Sequence, residues 1–131
     1  MTITQFCDKH RACKEGRTWA TKHCRTMKKA WEKAPNPSWV IWIATRPGVL
    51  TNTELIKFAL WSARQVQHLM KDQRSISALD VIERYVSGNA TKEELDAAAR
   101  AAAYAAADAA AYAAYAAQAE WLRKNTKPNF E

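Results

Sequence analysis

Apolar side chains recur at three- and four-residue steps along most of this chain, and that spacing predicts helices with one buried face. Near the start it predicts a short helix over residues 2–13, followed by a break at Glu15-Gly16. Residues 17–34 repeat the pattern with basic residues outside. Because Thr26 is a favourable residue for a helix N-terminus, this second segment is predicted as one helix or two short ones.

The most apolar stretch is SWVIWIAT, from Ser38 to Thr45. It follows Pro35 and Pro37, which end the preceding segment because two prolines so close cannot lie inside a helix. Its β-branched residues would also suit a strand, and periodicity does not decide so short a run. We predict a buried helix, since the sequence has no second strand-like run to pair with it.

Two more helices are predicted in the middle of the chain. Thr51 and Glu54 fit a capping box that opens a helix reaching about Lys71. A shorter helix begins at Ser75, and Gly88 ends it in the position where glycine is favoured.

The rest of the chain is dominated by an alanine-rich run, residues 91–124. Alanine fills seventeen of the twenty-three positions 97–119, and no residue loses less side-chain freedom in a helix. Thr91 and Glu94 fit a second capping box at its start. We therefore predict one long C-terminal helix.

Alanine methyl groups provide little apolar bulk, because each contributes only about 0.8 kcal/mol on burial. The bulk must come from larger side chains, and five of the six tryptophans precede the alanine run. These are Trp19, Trp31, Trp39, Trp42 and Trp61. The predicted fold is all-α: a single domain, 1–131, forming a compact bundle of five to seven helices around the long helix. Its three parts are 1–34, 38–88 and 91–124.

The alanine run is long enough to span a membrane, but Arg100 and Asp108 lie inside it. Each would cost about 2.5–3.5 kcal/mol near the bilayer centre, so we predict no membrane span. Three cysteines and an N-terminus unlike a signal peptide predict a cytoplasmic protein with free thiols. Whether the tyrosines on this run face solvent is left open; they are Tyr104, Tyr112 and Tyr115.

Positive charge is concentrated in the first third of the chain. Residues 1–33 contain nine Lys or Arg against three acids, a net of +6, and residues 34–131 contain eleven against ten, a net of +1. A clustered cationic surface favours an acidic protein partner or a nucleic acid, although it also serves solubility alone. The candidate contact residues are Arg11, Lys14, Arg17, Lys28 and Lys29.

Two groups of residues suggest site chemistry. Cysteines and histidines between residues 7 and 24 are of the types that bind zinc, but their spacing is poor, and we predict no metal site. Arg64 and His68 lie on one predicted helix, and Asp80 and Glu83 lie on the helix that follows it in the sequence. These four polar residues could converge where the two helices pack. No catalytic motif accompanies them, so we expect polar contacts that dock the helices, with no enzyme activity and no cofactor. The acids also disfavour a DNA-reading second helix.

Three segments of the chain are similar to segments of a known protein family. They are the DQRS run from Asp72 with Ala-Leu-Asp after it, the stretch from Glu83 to Gly88, and the alanine-rich helix interrupted by aromatic residues. The ACKEG run from Ala12 and the Trp19-Ala20 pair extend this similarity. These segments resemble a family of small, alanine-rich, all-helical immunity proteins of bacteria and bacteriophages. The resemblance implies a non-enzymatic protein that binds and neutralises a partner. It carries over no binding residue.

Sequence and resemblance together predict a non-enzymatic binding protein of phage or prophage origin, an immunity or counter-defence factor whose partner is an acidic toxin or defence protein. One alternative is a nucleic-acid-associated protein that uses the basic N-terminal surface. The other is a structural protein that forms a homodimer through the alanine face.

Overall fold

The computed structural model describes the backbone of residues 1–65, 67–69, 73–96 and 115–131, and all regular structure in these ranges is helical. The prediction of an all-α fold is confirmed for them. The α-helices are α1 (Ile3–His10), α2 (Lys14–His23), α3 (Met27–Lys33), α4 (Pro37–Ala44), α5 (Asn52–Gln65), α6 (Gln73–Val86) and α7 (Tyr115–Asn125), and a 3₁₀ helix covers Gln67–Leu69.

Contacts within the chain divide it into two compact units. The first unit is Met1–Thr51 with Tyr115–Glu131, and the second is Asn52–Ala114. Each has its own packed helices. The organisation of residues 1–131 as a single domain stays a prediction.

The break between α1 and α2 is set by two cap residues. Arg11 ends α1 in the left-handed conformation at φ 56°, and the Ala12 N–H donates to the Cys7 carbonyl at 3.0 Å. Cys13 then begins α2, with its Sγ accepting the Gly16 N–H at 3.4 Å. The predicted break at Glu15-Gly16 is therefore wrong, because these caps stop one helix and start the next before Glu15.

Local capping also defines α3 and α4. The Thr26 hydroxyl accepts the Lys29 N–H at 3.2 Å, so the basic segment is two helices, as one of the two predictions had it. Asn36 accepts the Ser38 N–H at 3.0 Å, and Pro37 occupies the first turn of α4, where its missing N–H costs nothing. The predicted helix over 38–45 is confirmed.

In the first unit, α4 packs against α7. Val40 and Leu122 are fully buried, and Ala119 is 1 % exposed. This part of the alanine-rich run thus lies against the helix that carries Trp39 and Trp42. The predicted packing of tryptophans along the remaining alanines falls on 97–114, outside the described residues.

The second unit is built on α5 packed against α6. Its core consists of Ala63, Ala78, Leu79 and Ile82. Helix α5 ends at Gln65 and not at Lys71, because the 3₁₀ helix follows it.

A polar contact joins α5 to α6 beside this core. The Arg64 guanidinium donates to Asp80 at 2.9 Å and to Glu83 at 3.3 Å, and its Nη1 donates to Gln67 at 2.7 Å. The expected polar contacts between these helices are confirmed. His68 is exposed.

Replacing Arg64 by alanine should lower the free energy of unfolding by about 1 kcal/mol. The arginine side chain is only 24 % exposed, but Asp80 and Glu83 are more than half exposed, and solvent weakens both ion pairs. Urea denaturation would measure the loss. The control is Arg84→Ala, whose 3.8 Å pair with Glu94 is exposed on both sides, so it should change stability by less than about 0.5 kcal/mol. Equal effects of the two variants would contradict the prediction.

The chain leaves α6 and enters the alanine-rich run through two confirmed caps. Gly88 has φ +82°, and the Asn89 N–H donates to the Arg84 carbonyl at 2.7 Å, which closes the end of α6. The Glu94 N–H donates to the Thr91 hydroxyl at 3.1 Å, and residues 92–96 are helical. The prediction of one long helix over 91–124 depends on 97–114, which lie outside the described residues. In the part of the chain that is described, no helix is long and apolar enough to cross a membrane.

Candidate interaction site

A pocket of about 330 Å³ lies in the first unit among α1, α2, α3 and α4. We call it the tryptophan pocket, after Trp19, Trp39 and Trp42, which line it. All three indoles are half-buried and Cys13 is exposed, so the pocket reaches the surface. The other lining residues are Phe6, Cys7, Ala12, Gly16, Ala20, Met27, Ala30, Ala34, Ser38 and Ile43.

Large rings set opposite very small residues create this space. The Trp19 and Trp39 rings lie 6.1 Å apart, centroid to centroid, at 46°. Gly16 lies close to them: a β-carbon there would be 3.8 Å from the Trp39 ring and 3.3 Å from the Cys13 Sγ. A larger side chain at this position would therefore extend against the Trp39 ring and occupy the pocket.

The pocket offers apolar contact with few polar groups. Its lining contains no Asp, Glu, His, Lys or Arg. The Ser38 hydroxyl already donates to Asn36 at 2.7 Å. Among the residues described, the indole N–H groups of Trp19, Trp39 and Trp42 donate no hydrogen bond. These N–H groups are not fully buried, so water can satisfy them. These three N–H groups remain available to a bound molecule.

One cation is fixed beside the pocket. The Arg46 guanidinium lies 4.7 Å from the centre of the Trp42 ring, a cation–π contact. It is held there because its Nε donates to the Trp42 carbonyl at 2.9 Å and its Nη2 donates to the Thr45 hydroxyl at 3.0 Å. Trp42 is thus positioned by a charge as well as by packing.

The five basic residues named from the sequence fall into two groups. Arg17 pairs with Asp8 at 2.7 Å, and Lys29 pairs with Glu32 at 3.5 Å. Arg11, Lys14 and Lys28 are exposed, and within the described ranges they form no ion pair. We call these last three the free cations.

All three free cations are next to a lining residue of the tryptophan pocket in sequence, and Lys28 follows the lining residue Met27. Arg11 and Lys14 flank Ala12 and Cys13, which are lining residues. The first unit contains thirteen Lys or Arg against five acids, a net of +8, and the second contains seven against eight, a net of −1. The positive charge of the whole chain therefore belongs to the unit that holds the pocket.

The histidines and cysteines of this unit do not assemble a metal site. Within the described residues, no three His, Cys, Asp or Glu side chains are grouped closely enough to hold an ion. His10 instead packs on Phe6, 4.5 Å between centroids, and its pKa is lowered by partial burial and by the nearby Lys9 and Arg46 charges. Burial raises the pKa of the Cys7 thiol, although Arg17 opposes the shift.

The three thiols should react with iodoacetamide at very different rates. Cys13 is exposed and Cys24 half-buried, whereas Cys7 is 5 % exposed and its raised pKa reduces the reactive thiolate at pH 8. We expect Cys7 to be alkylated at least about 100-fold more slowly than Cys13, measured by mass spectrometry of timed digests. The rates should converge in concentrated urea. Comparable rates in the native protein would contradict the placement of Cys7.

Sequence reasoning identified the charges but missed the pocket. The signal was present: Gly16 and Ala20 are four residues apart on α2, and Ala30 and Ala34 are four apart at α3. Small residues at that spacing form a shallow strip on a helix. They mark a pocket only when large rings face them from another helix, and that depends on how the helices pack.

Comparisons with protein-family models, with curated proteins and with solved structures find no match. The features of the molecule that bear on its function are the geometry and charge of the first unit. Those features are three free cations, an apolar pocket whose lining includes their sequence neighbours Ala12, Cys13 and Met27, and a net charge of +8.

Proposed function

We propose that this protein is a non-enzymatic binding protein of phage or prophage origin, which acts in the cytoplasm by occupying and neutralising an acidic partner protein. One observation supports this most directly: Arg11, Lys14 and Lys28 are exposed and form no ion pair in the described part of the chain. Charges without an internal partner are available to attract an acidic surface. The resemblance to immunity proteins suggests that the partner is a toxin or a defence protein.

The five candidate contact residues would contribute unequally. Lys29 and Arg17 would have to give up or share their pairs with Glu32 and Asp8 to bind a partner. The free cations have no such competitor. Exposed charges at the rim of an interface mainly raise the association rate, so salt should slow binding more than it speeds dissociation.

Capture of the partner from host lysate, with two matched charge reversals, tests the proposal. The test variant is Lys14→Glu with Lys28→Glu, and the control is Lys57→Glu with Lys92→Glu in the second unit. All four lysines are exposed, and both variants change the net charge equally. Lys14 and Lys28 lie in the first turns of α2 and α3, where a carboxylate favours the helix, so the test variant should stay folded.

The expected result is one acidic protein captured by the wild type and by the control, and lost at least about fivefold from the test variant. The association rate, measured by surface plasmon resonance, should fall in the same variant. Equal capture by both variants would exclude the free cations as the contact surface. Capture of no protein in excess over a bead control would count against a protein partner altogether.

A nucleic-acid-associated protein is the second candidate, favoured by the same net charge of +8 and by half-buried indoles beside it. Aromatic rings next to cations can stack single-stranded bases. Phosphate binding would weaken steeply with salt. A mobility shift with single-stranded DNA at low salt, lost near 200 mM, would support this candidate, and no shift at low salt would remove it.

We also propose that residues 91–124 form one continuous helix at the centre of a helical bundle. The support is a capped helical start at 92–96, a helical end at Tyr115–Asn125, and an alanine-rich sequence between them. Paired Ala→Gly changes within 101–110 should cost about 1 kcal/mol each if the helix is continuous.

A homodimer through the alanine face is the third candidate, and light scattering of a concentrated sample tests it.

A further inference from the structure

We propose that the tryptophan pocket binds a small planar aromatic molecule carrying one negative charge. This inference goes beyond the proposed function, because it assigns a second kind of ligand that needs no protein partner. Three observations support it independently: the size of the pocket, the chemistry of its lining, and the charge around it.

The size limits the class of molecule. About 330 Å³ is near the lower end of the range of roughly 300–1,000 Å³ that is typical of small-molecule sites. A molecule of two fused rings fits this space. A peptide helix, about 10–12 Å across with its side chains, would be too large to enter it.

The lining favours a flat aromatic ring. Trp19 and Trp39 are inclined at 46° with their centroids 6.1 Å apart, and the small side chains of Ala20 and Ala34 leave room beside them. Aromatic rings gain from offset or edge contacts with indoles beyond the apolar area that they bury. The unengaged indole N–H groups can also donate to an oxygen at the edge of the ligand.

The charge near the pocket favours an anion. Arg11, Lys14 and Lys28 are next to lining residues in sequence and form no ion pair in the described chain. Two acids, Asp8 and Glu15, are also next to lining residues, but Asp8 is paired with Arg17, and the surrounding unit has a net charge of +8. The lining itself holds no carboxylate to oppose a negative ligand. An exposed charge contact of this kind should improve affinity by about fivefold, and salt should remove that gain.

The experiment uses 2-naphthoate and its uncharged counterpart 2-naphthamide, titrated into the ¹⁵N-labelled full-length protein. The six tryptophans give separate indole N–H signals in an NMR correlation spectrum. Saturable shifts are expected for Trp19, Trp39 and Trp42, assigned by single Trp→Phe variants, with a dissociation constant of about 1 mM or lower. Naphthoate should bind about fivefold more tightly than naphthamide at low salt, and equally in 0.5 M salt.

Gly16→Leu is designed to fill the pocket, although its β-carbon would lie 3.3 Å from the Cys13 Sγ, so the Cys13 side chain at the start of α2 must shift by a few tenths of an ångström. Gly16 lies in the first turn of α2, outside the left-handed region, so leucine should favour α2 while its side chain extends against Trp39. The matched control is Ala117→Leu on an exposed position of α7. Affinity for naphthoate should fall at least about tenfold in the first variant and stay unchanged in the second. Ala12→Leu, on the pocket lining, replaces Gly16→Leu should that protein not fold.

Two results would overturn the inference. One is the absence of any saturable shift up to roughly 5 mM of either naphthalene compound. The other is binding outside the pocket, shown by wild-type affinity in a folded pocket-filled variant or by shifts confined to other tryptophans. Neither result would bear on the capture of a protein partner by the free cations, so this inference and the proposed function fail separately.

Discussion

Replacing Phe6 by alanine is expected to lower the free energy of unfolding by about 3–5 kcal/mol, the largest effect of any single substitution considered for this chain. The Phe6 ring is 2 % exposed. Its centroid lies 6.3 Å from that of Trp42 and 5.8 Å from that of Phe130, both edge-on. The variant loses the buried apolar area and its ring contacts with Trp42, Phe130 and His10, and it leaves a space that the rigid indole cannot fill.

Urea denaturation followed by tryptophan fluorescence measures this loss well, because five of the six tryptophans belong to the first unit. Tyr115→Ala is the control: this aromatic ring is 50 % exposed, so its removal should change stability by less than about 0.5 kcal/mol. A loss below about 1 kcal/mol for Phe6→Ala would show that Phe6 is not buried among these rings.

Replacing Arg123 by alanine is expected to cost about 2–4 kcal/mol, because one side chain joins α7 to the end of α3. Its Nε donates to the Trp31 carbonyl and its Nη2 to the Ala34 carbonyl, both at 2.9 Å. Carbonyls at a helix C-terminus lack partners within the helix, and a guanidinium can satisfy two at once. Each hydrogen bond to a charged donor in a partly buried place contributes about 1.5–3 kcal/mol, and the sum is reduced because the variant no longer incurs the cost of desolvating the guanidinium.

Two comparisons isolate that contact. Lys124→Ala removes an exposed neighbour whose 2.8 Å pair with Glu120 lies within α7, so it should cost less than about 0.5 kcal/mol. Arg123→Lys keeps the charge but cannot reach both carbonyls in the planar geometry, so it should recover less than half of the loss. Thermal unfolding at constant pH ranks the three variants. Full rescue by lysine would show that charge alone, and not the two directed hydrogen bonds, joins the helices.

The first unit includes contacts made by the C-terminal segment of the chain. Phe130 contacts Phe6 and Trp31, and the Asn129 N–H donates to the Val49 carbonyl at 2.8 Å. The C-terminal residues therefore contact α1 and the segment after α4, and they complete the core next to the tryptophan pocket. Truncation after Asn125 would remove the Phe130 ring and the backbone hydrogen bond together.

The candidate site was only half visible in the sequence. The excess of Lys and Arg in residues 1–33 correctly indicated that the first unit carries the positive charge, because net charge can be counted from the sequence without coordinates. It did not separate Lys14 and Lys28 from Arg17, whose 2.7 Å pair with Asp8 forms only when α1 and α2 are placed side by side. The small residues that line the pocket were visible in the sequence, but the rings that face them were not, for the same reason.

By itself, the sequence determined that the described chain is helical and where several helices begin and end. Thr26, Gly88 and the Thr91–Glu94 box act through hydrogen bonds to residues no more than five positions away, so local order specifies them. Tertiary structure alone decided the rest. Arg123 reaches across 92 positions to Trp31, and Gly16 borders an open space only because Trp39 faces it. Such contacts depend on the directions of whole helices, and no stretch of neighbouring residues encodes those directions.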